Sequence, residues 1–255
     1  MTTRVWFRFY AELNRFVSPA LRQSSFERAC SRDASVKHMI EALGVPHTEV
    51  ALILVNGEQV DFSYRLREQD HVSVYPRFAL LKGDAQTTEF LQPQGLPVFV
   101  ADAHLGRLAR DLRMLGFDVL YRNDFADDEI VRIVLRDGRI VLTRDRDLLM
   151  RKSIARGCYV YAIASDRQLS EVMERYDLAG QIRPLSRCLK CNGLLEPVAR
   201  ELVEPHLPAR SGACQQHFRR CTACRQVYWE GAHVKRMRGR IAALLETMRP
   251  RRPVT

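Results

Sequence analysis

Nowhere in its 255 residues does the chain sustain an apolar run near the roughly 18 residues that a membrane-spanning helix needs. Its opening, MTTRVWFRFY, lacks the charged-then-apolar layout of a secretory leader, so a cytoplasmic protein is expected. Cysteine is scarce: of seven residues, four fall in two C-x-x-C pairs, a pattern that in a reducing compartment suggests a metal rather than disulfides. Tryptophan occurs twice, yet the apolar share of 46% is that of a globular chain, long enough for one large domain or two to three small ones. Towards the C-terminus it is negative charge that runs short. Residues 186–255 hold 14 Lys/Arg against 5 Asp/Glu, so nearly all of the net charge of +10 lies there. Such a block suggests an anionic partner, RNA or DNA above all; a solvated basic tail is the plainer alternative.

Composition and periodicity divide the chain into segments 1–79, 80–96, 97–185, 186–248 and 249–255. In the first, VWFRFYAEL alternates apolar and polar residues, SVKHMIEALG has helical spacing stopped by Gly44, and VALILVNGEQV turns at Asn56-Gly57. RLREQDHVSVYP closes it with a short strand. This ββαββ order resembles a β-grasp, ubiquitin-like domain, and VNGEQVDFSYRLREQDHVSVYP is similar to the sulfur carriers of thiamine and molybdopterin synthesis. Those carriers act through a free Gly-Gly terminus, whereas here RFALLKGD and more than 170 further residues follow. A docking role towards a protein partner is therefore expected in place of sulfur transfer. Residues 80–96 read as a linker, and RPRRPVT as a mobile tail.

The third segment alternates strand and helix: PVFVA, HLGRLARDLRMLG with Leu105, Leu108, Leu112 and Leu115 on one face, FDVLY, DDEIVRIVLRDG, RIVLT, RDLLMRKSIARG, CYVYAIA and QLSEVMERYDL. That alternation implies an α/β fold with a parallel sheet flanked by helices, in which functional residues collect at the carboxyl ends of strands. Asp102 follows the first strand. Asp124, Asp127, Asp128 and Glu129 follow the second. Asp145 and Asp147 follow the third. Each could cap a helix or complement its dipole. Capping does not explain the number of acids, because serine or asparagine would serve as well. Crowded carboxylates invite a hard divalent cation, Mg²⁺ or Mn²⁺, able to activate water against a phosphodiester. His104 is either an extra ligand or proton relay or a solvated surface residue. Arg107, Arg110, Arg113, Arg144 and Arg146 surround the acids, and Arg107 and Arg144 are the better candidates for binding phosphates.

Other α/β chemistries fit less well. No G-x-G-x-x-G follows the first strand, AIASDRQLS lacks the lysine of a response-regulator receiver, and DAH is not the D-x-D of haloacid-dehalogenase-like phosphatases. Topoisomerase-primase domains share a D-x-D like DRD but want a glutamate where Asp102 stands.

In the fourth segment, Cys188 and Cys191 are answered by Cys221 and Cys224 across 29 residues, longer than the roughly 15–20 of a compact zinc module. A structural Cys₄ zinc ribbon, one Zn²⁺ per chain, is expected. Cys214 and His217 are alternative ligands, while Cys30 and Cys158 read as core residues. Arg219, Arg220 and Arg225, then Lys235, Arg236, Arg238 and Arg240, would offer a basic face. Tyr228 and Trp229 could stack on unpaired bases or pack within the ribbon.

Strand-end Asp, an acid opening a helix and then LTRDRDLL resemble nucleases of the PIN-like fold. VADAHLGRLARDLRMLGFDVLYRNDFADDEIV, RIVLTRDRDLL, a C-x-x-C and YWEGAHVKRM resemble the Mut-seven carboxy-terminal RNase domain family, across roughly Val98 to Met237. Some members carry a ubiquitin-like N-terminal extension. The resemblance implies that Asp102, Asp127 or Asp128, Asp145 and Asp147 form the acidic site, with Asp102, Asp128 and Asp145 as Mg²⁺ or Mn²⁺ ligands. It also implies single-stranded RNA as substrate. The chain departs from the family in having His104 where methionine is common and Asp111 where tryptophan is. Two functions follow: a metal-dependent ribonuclease, with Arg107, Arg144, Arg219, Arg220, Lys235 and Arg236 holding RNA, or a non-catalytic RNA-binding adaptor on the same fold.

Overall fold

A computed structural model describes residues 2–76, 96–203, 217–229, 231, 236, 239, 241–243 and 246. The expected linker, apart from Leu96, and the expected tail lie outside the described residues, as does Lys235. The chain forms two compact units. One comprises 1–93 and 126–159; the other comprises 94–125 and 160–255.

The first unit opens with strands β1 (Thr2–Phe9) and β2 (Phe26–Ser31), helix α1 (Val36–Ala42), and strands β3 (Val50–Val55), β4 (Glu58–Val60) and β5 (His71–Pro76). They form a five-stranded sheet in the order β2-β1-β5-β3-β4, with β1 and β5 parallel and the other pairs antiparallel. This is the β-grasp architecture that the sequence implies. The alternation along β1 buries Val5, Phe7 and Phe9 against Val36, Ile40, Ile53, Val72 and Val74. Ser35 caps α1 by accepting from the His38 amide (3.2 Å). Asn56 and Gly57 both take positive φ, 52° and 89°, as the β3–β4 hairpin requires.

The same unit contains α3 (Asp127–Asp137), β8 (Ile140–Thr143), α4 (Arg146–Met150) and β9 (Gly157–Tyr159), with β8 and β9 parallel. Two sequence expectations are corrected here. The helix read from RDLLMRKSIARG stops at Met150, because Arg151 is extended (ψ 127°) and the chain turns back through an Ile154-to-Arg151 hydrogen bond of 2.9 Å. Buried Ile154 must enter the core there, and a straight helix would carry it past. The strand read from CYVYAIA is confined to Gly157–Tyr159. Beyond it, the Tyr161 and Ala162 amides donate to the Glu171 carboxylate (2.9 and 3.0 Å), which takes the place of a ladder partner.

The second unit contains β6 (Val98–Ala101), α2 (Gly106–Met114), β7 (Asp118–Leu120), α5 (Ser165–Arg175) and a three-stranded antiparallel sheet of β10 (Leu195–Val198), β11 (Phe218–Cys221) and β12 (Val227–Trp229). β6 and β7 are parallel. Leu108 and Leu112 on α2, and Leu105 and Leu115 flanking it, are all fully buried, as their common face in the sequence predicts. Each unit thus holds one pair of parallel strands with helices beside it. No described helix is long and apolar enough to cross a membrane.

Candidate functional site

The two C-x-x-C pairs fold as near copies. In the first, the Asn192 amide donates to Cys188 O (2.9 Å) and the Cys188 amide to Gly193 O (2.8 Å). In the second, Arg225 donates to Cys221 O (3.2 Å) and Cys221 to Gln226 O (2.9 Å). Each turn closes on a left-handed residue, Asn192 (φ 70°) or Arg225 (φ 62°). The four sulfurs lie within 4.8 Å of one another, with Cys188–Cys224 at 3.5 Å and Cys191–Cys221 at 3.4 Å. A zinc tetrahedron with Zn–S near 2.3 Å has edges of about 3.8 Å, so the group fits zinc with small adjustment. A Cβ on Gly193 would lie 2.8 Å from the Cys221 sulfur, so no larger residue fits against the cluster.

The thiols of the group differ in their electrostatics. Burial disfavours the Cys188 thiolate, but hydrogen bonds from the Tyr228 hydroxyl and from the Cys191 and Lys190 amides bring it down to about 7. Burial and the neighbouring sulfurs push Cys224 up to about 12. Tyr228 therefore serves the ribbon interior: its hydroxyl lies 3.2 Å from the Cys188 sulfur and accepts from the Leu189 amide (3.0 Å). Among the described residues His217 is not part of the group; Cys214 lies outside them.

The knuckles are tied into the strand–helix layer of the same unit by Arg113 and Asn192, neither of which the sequence placed there. Buried Arg113 on α2 donates through Nε to Val119 O (2.9 Å) and through Nη1 to Leu189 O (3.2 Å) and Lys190 O (3.1 Å). Its expected place beside the acids is thus replaced by a structural one. Burial disfavours its charge, while the Cys191 and Cys188 thiolates and Asp118 favour it. Asn192 spans the same junction, accepting from the Val119 amide (3.1 Å) and donating to Asp118 (2.8 Å), which also pairs with Arg187 (3.0 Å). Asn-Gly directly after a ligand cysteine was the sequence signal for that turn. Nothing local could have given Arg113 its partners, which lie up to 77 positions away.

The acids are divided between the units. In the second, Asp102 follows β6, is 8% exposed, and caps the short 3-10 turn Ala103–Leu105 by accepting from the Ala103 amide. Tyr121, just past β7, braces that turn by donating to Ala103 O (3.1 Å); a Cβ on Gly106 would come 2.4 Å from its hydroxyl. His104, Arg107 and Arg110 are exposed.

In the first unit, Asp127 and Asp128 sit inside the first turn of α3, behind Ala126 at the N-cap, which makes no side-chain cap bond. They complement the helix dipole and do not cap. Asp145 follows β8 and does cap: its Oδ1 accepts from the Asp147 (2.8 Å) and Leu148 (3.4 Å) amides, while its own amide donates to Thr143 Oγ1 (2.9 Å). Asp147 is an exposed first-turn residue of α4. Arg144 is half-buried and Arg146 exposed. Arg151 draws two of these acids together, Asp127 and Asp128. It binds Asp128, pairs with Asp127 (3.3 Å) and feels the charge of Asp145, and Asp128 foremost holds its guanidinium above the usual range. Arg151 was not anticipated, since it lay inside an expected helix. In the ribbon, Arg219 and Arg236 are exposed and Arg220 is half-buried.

Parallel strand pairs flanked by helices, a β-grasp domain before them and a four-thiolate centre after them make a composite α/β architecture. The family model described as "Mut7-C RNAse domain" matches residues 97–241, and "Mut7-C ubiquitin" matches 2–82. The chain belongs to the Mut7-C RNase domain family, and that membership supports a nuclease-type function in general. No curated protein matches the chain. Solved structures similar to it include two of small archaeal modifier protein 1 from Haloferax volcanii. One is 17% identical with a TM-score of 0.24, covering 29% of this chain and 97% of that one. The other is 16% identical with a TM-score of 0.25, covering 30% and 97%.

Proposed function

We propose that the chain is a divalent-metal-dependent ribonuclease that cleaves single-stranded RNA in the cytoplasm, with Asp102, Asp127, Asp128, Asp145 and Asp147 as its acidic site. The observation that carries this reading is Arg151, held by Asp127 and Asp128 in the first turn of α3. These carboxylates already recruit a cation, and their hard oxygen donors suit Mg²⁺ or Mn²⁺. Asp102, Asp128 and Asp145 are the ligands of choice. Asp145 spends one oxygen on its cap, which fixes its rotamer and leaves the other for a ligand. Bound Mg²⁺ or Mn²⁺ would supply a lowered water pKa and charge stabilisation at phosphorus. Arg107 and Arg144 would hold the phosphates flanking the scissile bond, and Arg219, Arg220, Lys235 and Arg236 would hold the strand further out. Zinc, one per chain, would be structural, since four thiolates leave no open position. The domain division that accompanies this reading is 1–79, 97–185 and 186–248, joined by the 80–96 linker and ending in the 249–255 tail.

The test is cleavage of single-stranded RNA with Mn²⁺ by purified wild type and by Asp145→Asn. Wild type should cut and the variant should not. Equal degradation by both would mean a contaminant and sink the assignment. RNA bound but left intact under every metal would favour the adaptor function.

A further inference from the structure

One short turn of the β-grasp domain carries polar contacts to the nuclease segment of its own unit. Residues Pro46–Glu49, between α1 and β3, are buried although three of them are His, Thr and Glu, with Glu49 1% exposed. Two of these side chains, His47 and Glu49, meet main-chain groups far along the chain. His47 Nε2 lies 2.8 Å from Ile154 O, 107 positions away, and its Nδ1 lies 2.7 Å from Glu41. Glu49 Oε1 accepts from the Tyr159 amide (2.7 Å), 110 positions away.

Those two main-chain groups are the ones that the truncated α4 and the short β9 leave to be satisfied. Ile154 O lies in the turn after α4, and Tyr159 N belongs to β9, whose strand partner is β8. Apolar packing and close approach complete the seam. Phe16 meets the Tyr159 ring edge-on (centroids 5.2 Å apart). A Cβ on Gly157 would sit 2.4 Å from Leu149 and 3.4 Å from Thr48 Oγ1, and one on Gly44 would sit 3.4 Å from Arg146 Nη1. A buried carboxylate aimed at one amide and an imidazole wedged between a carboxylate and a carbonyl are specific features, costly to bury without those partners.

We propose that the β-grasp domain works in cis as a positioning element for the acid-bearing part of the nuclease. His47 and Glu49 anchor the Arg151–Tyr159 segment. Arg151, which gathers Asp127 and Asp128, starts the anchored segment, and Asp145 caps the helix that leads into it. The geometry stands alone; its consequence for catalysis rests on the ribonuclease reading.

Hydrogen exchange of the full-length chain tests the docking. Glu49→Leu and, independently, His47→Ala should speed exchange across residues 151–159 by about tenfold or more, the scale of a lost charge-assisted hydrogen bond. Protection in β1 and β2 should be unchanged. Glu49→Gln, which keeps an acceptor oxygen, should restore protection. Unchanged exchange at 151–159 in both variants, or a Gln variant as loose as the Leu variant, would overturn the anchoring. Mn²⁺-dependent cleavage of RNA then tests the consequence: kcat should fall at least about tenfold in Glu49→Leu with KM little changed. Loosened exchange with unaltered kcat would refute the link to the acids. Absence of cleavage by the wild type would remove the ribonuclease reading and leave the docking to the exchange data.

Discussion

Replacing Arg113 by methionine isolates the junction between the four-cysteine centre and helix α2. Methionine fills the volume of the aliphatic stem but leaves the carbonyls of Val119, Leu189 and Lys190 without the guanidinium that now serves all three. Hydrogen bonds to a charged donor are each worth about 1.5–3 kcal/mol, partly offset by no longer burying the charge. A net loss of about 3 kcal/mol is expected, lowering the melting temperature by about 6–12 °C at this chain length. Leu189 and Lys190 lie between the two ligand cysteines of the first knuckle, so some of the loss falls on the metal. If half of it does, zinc should pass to a chromophoric chelator about tenfold faster. Arg113→Lys should fall in between, because a single ammonium cannot span three carbonyls in a fixed fork. Thermal unfolding within about 1 °C of wild type, together with an unchanged rate of zinc release, would refute this account of the junction.

Asp145→Asn should melt within about 1 °C of wild type, because asparagine caps a helix as well as aspartate, whereas Asp145→Ala should lose about 1 kcal/mol; chemical denaturation reads both. Elemental analysis should find one zinc per chain in the wild type and none in Cys188→Ser, and Gly193→Ala should lower the content through the clash with the Cys221 sulfur. Lowering the pH should weaken zinc binding in competition titrations. The bound form needs thiolates, Cys188 is protonated below about 7 and Cys224 holds its proton up to about 12, so each step towards acid adds protons that zinc must displace. RNA affinity measured against salt should fall steeply if the basic C-terminal segment carries the binding, and a flat response would exclude it.

Much of the fold was legible because its signals are local. The period of two in β1, the period near 3.6 in α2 and the Asn56-Gly57 turn are each settled within a few residues by sterics and burial. The same holds for Ser35 before α1 and for paired cysteines two residues apart. The order of strands and helices, and so the α/β class, follows from those alone. The candidate acids were legible for the same reason, since each stands directly after a strand or at the start of a helix.

What tertiary structure alone decided is which polar groups meet. Nothing around Arg113 foretells that its donors reach Leu189 and Lys190. Nothing around Arg151 foretells that helix α4 ends early and leaves its guanidinium to Asp127 and Asp128. Nothing around His47 and Glu49 foretells that the fold brings Ile154 and Tyr159 against them. Burial periodicity is written along the chain because each residue meets water or core by itself. A hydrogen bond between distant residues needs both ends placed, and only the packed fold places them.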